Sequence, residues 1–362
     1  WFIFAFTVWA EAFVNLLVLQ SWAIFSDCFD SRQAKRLLPL IGIGGTLGAV
    51  GGGWLTAQFV THLGTSNLLF ICVLFLIVYS FMGFYILKYY VKSVREQDIN
   101  RRMAAKVHVS IGNRFLSTLT HILQDRLLLF IALSFITIHL STTIINFQFQ
   151  TSVQGHFSHE NEITAFMGKF YALANLFTIF IQLFVENRLI SSYGLVIGLS
   201  STPLFNFMGM GGFLISPVLA MVTLIKFFET VTRSSIHNTG LELAYIPLPS
   251  LQRRKIKLFI NGIMAPLSVL IMSTIIGFYN SHFFLTVTTL SLSGIALWLA
   301  IQMRKPYTAK LQEALHTRRL KVDDTELSSK MLSSESNALI EASLRGNDVE
   351  LILFSLQLIR DT

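Results

Sequence analysis

Four ionisable side chains lie inside long apolar stretches of this chain: Glu11, Lys169, Lys226 and Glu229. A charge near the centre of a bilayer costs on the order of a few kcal/mol or more, so it faces a protein cavity or a partner of opposite charge. Glu11 sits near the middle of its stretch, where it suits either solute binding or a structural hydrogen-bond anchor. Lys226 is also at mid-depth, and Glu229 follows three residues later, which places both on one helix face. That pair either closes an internal salt bridge or presents its charges to a solute. Lys169 is nearer the outer end of its stretch, where its long stem can reach the interface.

Other chemistry-bearing patterns are weaker. The segment Gly42 to Gly53 holds seven glycines in twelve residues, yet no Gly-Lys-Ser/Thr follows and no strand precedes it, so it is no phosphate loop. Small residues three or four apart suit close helix packing or a helix contact that moves. His156, His159, Glu160 and Glu162 share one short polar loop, which rarely supplies a full metal site. Cys28 and Cys72 have no CxxC spacing and read as free thiols. No nucleophile elbow, zinc-protease helix or Cys–His pairing occurs. We expect no catalytic residues, metal site or cofactor.

The composition explains what must position the charges. Hydrophobic residues make up 53% of the 362 residues, charged residues only 13%, and Phe occurs 32 times. So much apolar surface cannot be hidden behind so few charges in a soluble fold, which leaves an all-α integral membrane protein. Apolar stretches recur near 1–25, 37–61, 67–88, 127–148, 163–185, 194–213, 216–232, 257–279 and 282–303. Each is long enough to cross a hydrocarbon core of roughly 30 Å as a helix, and lipid forces the helix by leaving no partner for an open sheet edge. Nine spans are expected.

Basic residues give a direction. The connections near 62–66, 149–162, 211–217 and 280–283 contain no Lys or Arg. The alternate ones carry Arg32, Lys35 and Arg36, then Lys88 through Arg126, Arg188, Arg233 and the Arg253, Arg254, Lys255, Lys257 cluster. The bias puts the basic loops and the tail in the cytoplasm and the N-terminus outside. It also explains the net charge of +8, because the tail from Arg304 carries nine basic and nine acidic residues and the excess lies wholly before it. Nucleic acid is not needed as a partner.

The layout reads as 1–88, the end of an N-terminal transmembrane half; 89–126, a cytoplasmic connector; 127–303, a six-span C-terminal half; and 304–362, a cytoplasmic tail. The connector reads as a basic stretch followed by an amphipathic helix bearing Phe115, Leu116, Leu119, Ile122 and Leu123. Major-facilitator transporters have six spans, a cytoplasmic connector and six more. A chain that starts outside at Trp1, with no initiator Met and three spans before the connector, fits that bundle without its first three spans. The tail pattern (Leu339, Ile340, Leu344, then Val349, Leu351, Ile352, Leu356, Ile359) suits two short helices around Gly346-Asn347-Asp348. These are either the first unit of a helical-repeat domain or a simple amphipathic tail.

Three stretches resemble the ATP/ADP translocases of plastids and intracellular bacteria. They are Trp9-Ala10-Glu11 running to Ser31-Arg32-Gln33-Ala34-Lys35-Arg36-Leu37-Leu38-Pro39-Leu40; Glu162-Ile163-Thr164-Ala165-Phe166-Met167-Gly168; and Glu242-Leu243-Ala244-Tyr245-Ile246-Pro247-Leu248. Order and spacing agree over roughly 300 residues. The resemblance implies a major-facilitator-like bundle that exchanges ATP for ADP by alternating access, with membrane lysines and glutamates holding the solute. Glu11 matches one family glutamate. A family Glu and Lys fall on Asn146 and Gln150, another lysine becomes Leu241, the Gly-Lys-Ser-Gly region reads as Pro266 to Leu270, and Arg233 stands where a lysine is expected.

The resemblance therefore implies a divergent multi-pass transporter of a nucleotide or another anionic solute. Its solute-binding set is Glu11, Asn146, Gln150, Lys169, Lys226, Glu229 and Arg233. Depletion of cations favours a smaller or less charged cargo than a nucleoside triphosphate. The expected setting is a bacterial inner membrane or an organelle inner membrane, with lipid and a small solute as partners. The alternative is a transporter-derived scaffold or sensor that does not transport and binds a protein partner through its cytoplasmic tail.

Overall fold

The computed structural model describes residues 31–90 and 111–316, with Trp9, Phe13, Val14, Leu17, Val18, Gln20 and Ser21 of the first apolar stretch. Glu11, Cys28, the basic stretch 91–110 and the tail helices expected beyond residue 316 lie outside the described residues. The helices are α1 (Ser31–Leu63), α2 (Leu68–Tyr90), α3 (Ile111–Gln124), α4 (Arg126–His156), α5 (Glu160–Ile181), α6 (Asn187–Ile215), α7 (Leu219–Thr232), α8 (Asn238–Ala244), α9 (Ser250–Phe259), α10 (Ala265–Phe278), α11 (His282–Gln302) and α12 (Arg304–His316). Among the described residues three π-helical turns interrupt the run, at Gln182–Glu186, Arg233–His237 and Ile260–Met264. No strand occurs among the described residues.

Among the described residues, five helical runs are long and apolar enough to cross a membrane: Leu68–Ile86, Arg126–His156, Glu160–Ile215, Lys255–Phe278 and His282–Glu313. Glu160–Ile215 covers two of the expected spans. Its 56 residues are more than twice what a straight crossing of about 20 residues needs. The break lies at Gly194, where φ of 69° and ψ of −154° leave the helical region, a conformation that glycine adopts without a Cβ penalty. The stretch at 37–61 is helical within α1, and 216–232 falls in the 14-residue α7, though neither is among the five runs.

The chain divides into two units, Trp1–Phe115 with His159–Ala172, and Leu116–Ser158 with Leu173–Thr362. In the first, α1 ends at Gly64, whose φ is 78° and whose N–H donates to the Val60 carbonyl at 3.0 Å. Thr65 then donates both its N–H and its hydroxyl to Asn161 Oδ1, at 3.0 and 2.9 Å. Deeper in the unit, α1 and the first half of α5 approach until a Cβ on Gly53 would lie 2.7 Å from the Gly168 carbonyl oxygen, and the reverse. Of the glycine run, Gly44, Gly45, Gly48, Gly51 and Gly52 have open space where a Cβ would stand, whereas the neighbour of Gly53 demands glycine.

The second unit is a bundle in which α11 packs on α4 and α6, α7 on α4 and α6, α8 on α6, and α10 on α4. Asp125 caps α4 by accepting from the N–H groups of Leu127 and Leu128 at 3.0 and 3.4 Å. At the end that carries the basic connections, Ile122 of α3, Leu127 and Ile131 of α4, Leu195 and Leu199 of α6, and Tyr245 to Leu248 form one apolar core. The Tyr-Ile-Pro-Leu stretch is therefore part of the packing there. Burial and the nearby Glu242 carboxylate push the Tyr245 phenol well above its usual range. A smaller apolar cluster of Ile144, Met272, Ile276 and Leu285 joins α4, α10 and α11 towards the opposite end. Helices α4 and α11 also join through polar pairs: Ser141 with Ser293 at 3.2 Å, and Gln148 donating to Thr286 at 3.0 Å.

Gly198 and Gly240 bring α6 and α8 equally close, with a Cβ on Gly198 falling 2.7 Å from Gly240 Cα. Replacing Gly240 by Val forces backbone apart and is expected to destabilise the bundle by about 1–3 kcal/mol. Gly277→Ala, where a Cβ meets open space, serves as the control. Thermal unfolding of the detergent-solubilised chain checks this, with a lowered midpoint for Gly240→Val and none for Gly277→Ala.

Candidate functional site

The centre of the second unit holds one fully buried carboxylate, Glu229, at 0% exposure. It lies on α7, in a helix apolar on most of its surface, so its charge must be met by protein donors. Four converge on it. Lys226, itself 2% exposed, donates from Nζ to Oε2 at 2.7 Å, and Arg233 donates from Nε to Oε1 at 2.6 Å. Thr142 of α4 donates to Oε1 at 2.9 Å, and the Thr230 hydroxyl reaches Oε2 at 3.4 Å. The spacings of three and four residues put Lys226, Glu229 and Arg233 on one stripe of the helix.

The cluster carries two cations against one anion. Lys226 is spent on the carboxylate and sealed from solvent. Arg233 is different: its side chain is 33% exposed, and only Nε is engaged, so the two terminal guanidinium nitrogens form no hydrogen bond among the described residues. A planar fork with free terminal donors suits an oxyanion, carboxylate or phosphate.

The facing stripe on α4 is polar at the same period: His139, Thr142, Asn146 and Gln150 fall three, four and four residues apart. His139 is within electrostatic reach of Arg233, Glu229 and His237. Helices α4 and α7 run antiparallel, so from the Thr142–Glu229 bond towards the His156 end α4 presents Asn146 and α7 presents Lys226 and Thr223. Asn146 Oδ1 and Thr223 Oγ1 are both buried without a hydrogen-bond partner, as are both polar atoms of Asn206 on α6. Ser134, Gln148 and Tyr245 also carry a buried atom without such a partner, and buried polar atoms are normally satisfied, so each of these marks a place where a polar ligand or water can bind.

Two π turns flank this region. Arg233 opens one of them, which widens the helix just after the carboxylate. The other, Gln182–Glu186, is tied to it: Gln182 donates to the Ser234 carbonyl at 3.2 Å, and Thr239 donates to the buried Glu186. π turns recur at functional sites because they break the regular ladder and free backbone groups to move.

Of the expected binding residues, the structure brings Lys226, Glu229 and Arg233 together and sets Asn146 on the facing stripe. Gln150 is exposed, two turns beyond Thr142 on that stripe, and Lys169 is exposed on α5 within the first unit. Sequence reasoning missed Thr142, His139, His237 and Glu186. Thr142 and His139 could have been found as polar members of one α4 face; Glu186 lies one residue past the expected span, and nothing marked His237.

A family model described as the TLC ATP/ADP transporter matches residues 1–234. The match includes Lys226, Glu229 and Arg233 and stops short of the Glu242 to Leu248 stretch. The chain is similar to ADP,ATP carrier protein 1 of Chlamydia muridarum, 23% identical over 265 residues, covering 67% of this chain and 45% of that protein. It is similar also to ADP,ATP carrier protein 1 of Chlamydia trachomatis, 22% identical over 265 residues, with 67% and 46% covered. The chain thus spans about half the length of the curated relatives it matches. No solved structure matches it.

Removing the carboxylate charge leaves Lys226 buried without a counter-ion. Glu229→Gln is expected to destabilise the bundle by about 3–5 kcal/mol, the usual result of breaking a buried pair from one side. Thr142→Val, which removes one of four donors, should cost about 1 kcal/mol. The double change Lys226→Met with Glu229→Met should be milder than Glu229→Gln alone, because no unpaired charge stays sealed inside. Chemical or thermal unfolding of the three variants in detergent measures this, and an unaltered midpoint for Glu229→Gln would refute it.

Proposed function

The chain belongs to the TLC ATP/ADP transporter family, and from that membership we propose that it moves a nucleotide or a smaller anionic solute across a membrane by alternating access. It is an integral, multi-pass membrane protein. The observation that carries the solute reading is the part-exposed Arg233, held by a fully buried carboxylate inside the bundle. A membrane helix tolerates such a group where it lines a path or site. In this reading Glu229 and Lys226 do not grip the solute. They fix Arg233 and set its orientation, leaving the guanidinium ends for the anion. Asn146, Thr223 and Asn206 supply neutral hydrogen bonds to the rest of the cargo, and Gln150, Glu11 and Lys169 belong to its route.

The proposed topology keeps nine crossings, with Glu160–Ile215 counted as two that meet near the Gln182–Glu186 turn and Gly194. The basic connections and the tail face the cytoplasm of a bacterial or an organelle inner membrane. The proposed layout keeps 1–88 as the end of one transmembrane half, 89–126 as connector, 127–303 as the other half and 304–362 as a cytoplasmic tail able to engage a protein partner. The bundle is of major-facilitator type. The paired π turns are the flexing point: they give α7 a place to bend without breaking the Glu229 cluster above them.

Reconstitution of the full chain into proteoliposomes tests this. Uptake of labelled ATP, ADP or orthophosphate against an internal anion is expected, reduced by roughly tenfold or more in Arg233→Gln, the scale of one lost charge-assisted contact. Arg233→Lys should retain part of the flux and Glu11→Gln should abolish it. Absence of flux for every nucleotide and anion offered would overturn the reading.

A further inference from the structure

A second cationic site lies away from the Glu229 cluster, where the ends of α3 and α11 meet the starts of α4 and α12. These four helix ends enclose a cleft of about 920 Å3. Its charged lining is His121, Asp125, Arg126, Lys305 and Lys310. Part of that set is already committed. Asp125 caps α4 and pairs with Lys310, so the two charges cancel, and His121 is hydrogen-bonded to Gln252. What remains is Arg126 and Lys305. Both are exposed, and neither side chain forms an ion pair or hydrogen bond among the described residues. The cleft therefore offers two uncompensated positive charges.

Its other wall is apolar. Leu129, Phe130 and Pro306 line it, and the same helix faces continue away from it with exposed apolar side chains: Leu133 on α4, and Trp298 and Ile301 on α11, the last two 55% and 61% exposed. These belong to two of the runs apolar enough to cross a membrane, so that surface is the lipid-facing one. Helix α3 is amphipathic: Ile122 is buried in the core while Leu123 is 58% exposed, the pattern of a helix lying at the interface. The cleft therefore sits at headgroup depth, with cations above and an apolar track leading into the hydrocarbon.

We propose that this cleft holds the headgroup of an anionic phospholipid, its phosphate between Arg126 and Lys305 and an acyl chain along Leu133, Ile301 and Trp298. A free polyphosphate shares the phosphate chemistry, yet it would gain nothing from the apolar wall and would leave that wall in water. A lipid satisfies both surfaces at once. The inference rests on the membrane reading and not on transport. The site is 16 residues from Thr142 along α4, about 24 Å at the helical rise, so its failure and the failure of the transport reading are separate results.

The experiment measures binding of short-chain dioctanoyl phosphatidylglycerol, dioctanoyl phosphatidylcholine and pyrophosphate to the purified full chain in neutral detergent. The expected result is a preference for phosphatidylglycerol over phosphatidylcholine of roughly tenfold or more, the scale of two interfacial cations. Arg126→Gln with Lys305→Gln should erase it, Arg126→Lys with Lys305→Arg should keep it, and Lys255→Gln, an exposed cation of the neighbouring basic connection, should leave it unchanged. Lys305→Gln alone, at an exposed position, should show an intermediate loss and covers a double variant that does not fold. Equal binding of the two lipids, a preference that survives in the double Gln variant or is undiminished in Lys305→Gln, or pyrophosphate binding as tightly as phosphatidylglycerol and displacing it would overturn the proposal.

Discussion

A carboxylate that cannot reach water organises the second unit. Glu229 is sealed from solvent, and its two oxygens collect Lys226, Arg233, Thr142 and Thr230. An ion in a low-dielectric interior is tolerable only when hydrogen-bonded and paired on every side, so these partners are constrained together. Thr142 ties α4 to α7. Lys226 and Arg233 lock the two turns of α7 around the anion, and Arg233 hands the helix over to its π turn. Hydrophobic association drives membrane helices together weakly, since lipid is as apolar as leucine. Polar pairs such as this one, Ser141 with Ser293 and Gln148 with Thr286 then fix which helix faces meet.

The same constraint separates two roles within one cluster. Lys226 pairs with the carboxylate and is sealed from solvent. Arg233 lends only Nε and keeps its terminal nitrogens at a half-exposed position. Its orientation is therefore set by the Glu229 carboxylate. The orphaned polar atoms of Asn146, Thr223 and Asn206 lie in the same unit. Close backbone approach supplies the rigid counterpart. Gly198 against Gly240 leaves no room for a methyl group, and the tied π turns Gln182–Glu186 and Arg233–His237 sit beside that contact, where the helix ladder is already interrupted.

Much of the architecture was legible before any coordinates. Apolar length located the helices of four of the five membrane-length runs closely, and the connections free of Lys and Arg at 62–66, 149–162, 211–217 and 280–283 coincide with helix ends. Where the reading was coarser, the reason is local geometry. Gly194 with positive φ bends a continuous helical run that hydropathy divides into two. Gly53 has a backbone neighbour at contact while Gly44, Gly45, Gly48, Gly51 and Gly52 have open space, a fact that depends on the partner helix rather than on the run. The Tyr245 to Leu248 stretch was read through resemblance, while its observed role is packing under the basic end of the bundle.

The sequence by itself determined that the chain is a membrane helix bundle, because apolar runs, scarce charge and loop bias are one-dimensional properties that lipid enforces on any fold. It also determined that Lys226 and Glu229 share a helix face, because the period of the helix is fixed. It could not say which of the open alternatives that pair would take, nor that Thr142, 87 residues away, would complete it. Those outcomes depend on which faces of α4, α6 and α7 meet and at what register. Only tertiary packing sets that register, and with it the difference between a buried counter-ion at Lys226 and an available guanidinium at Arg233.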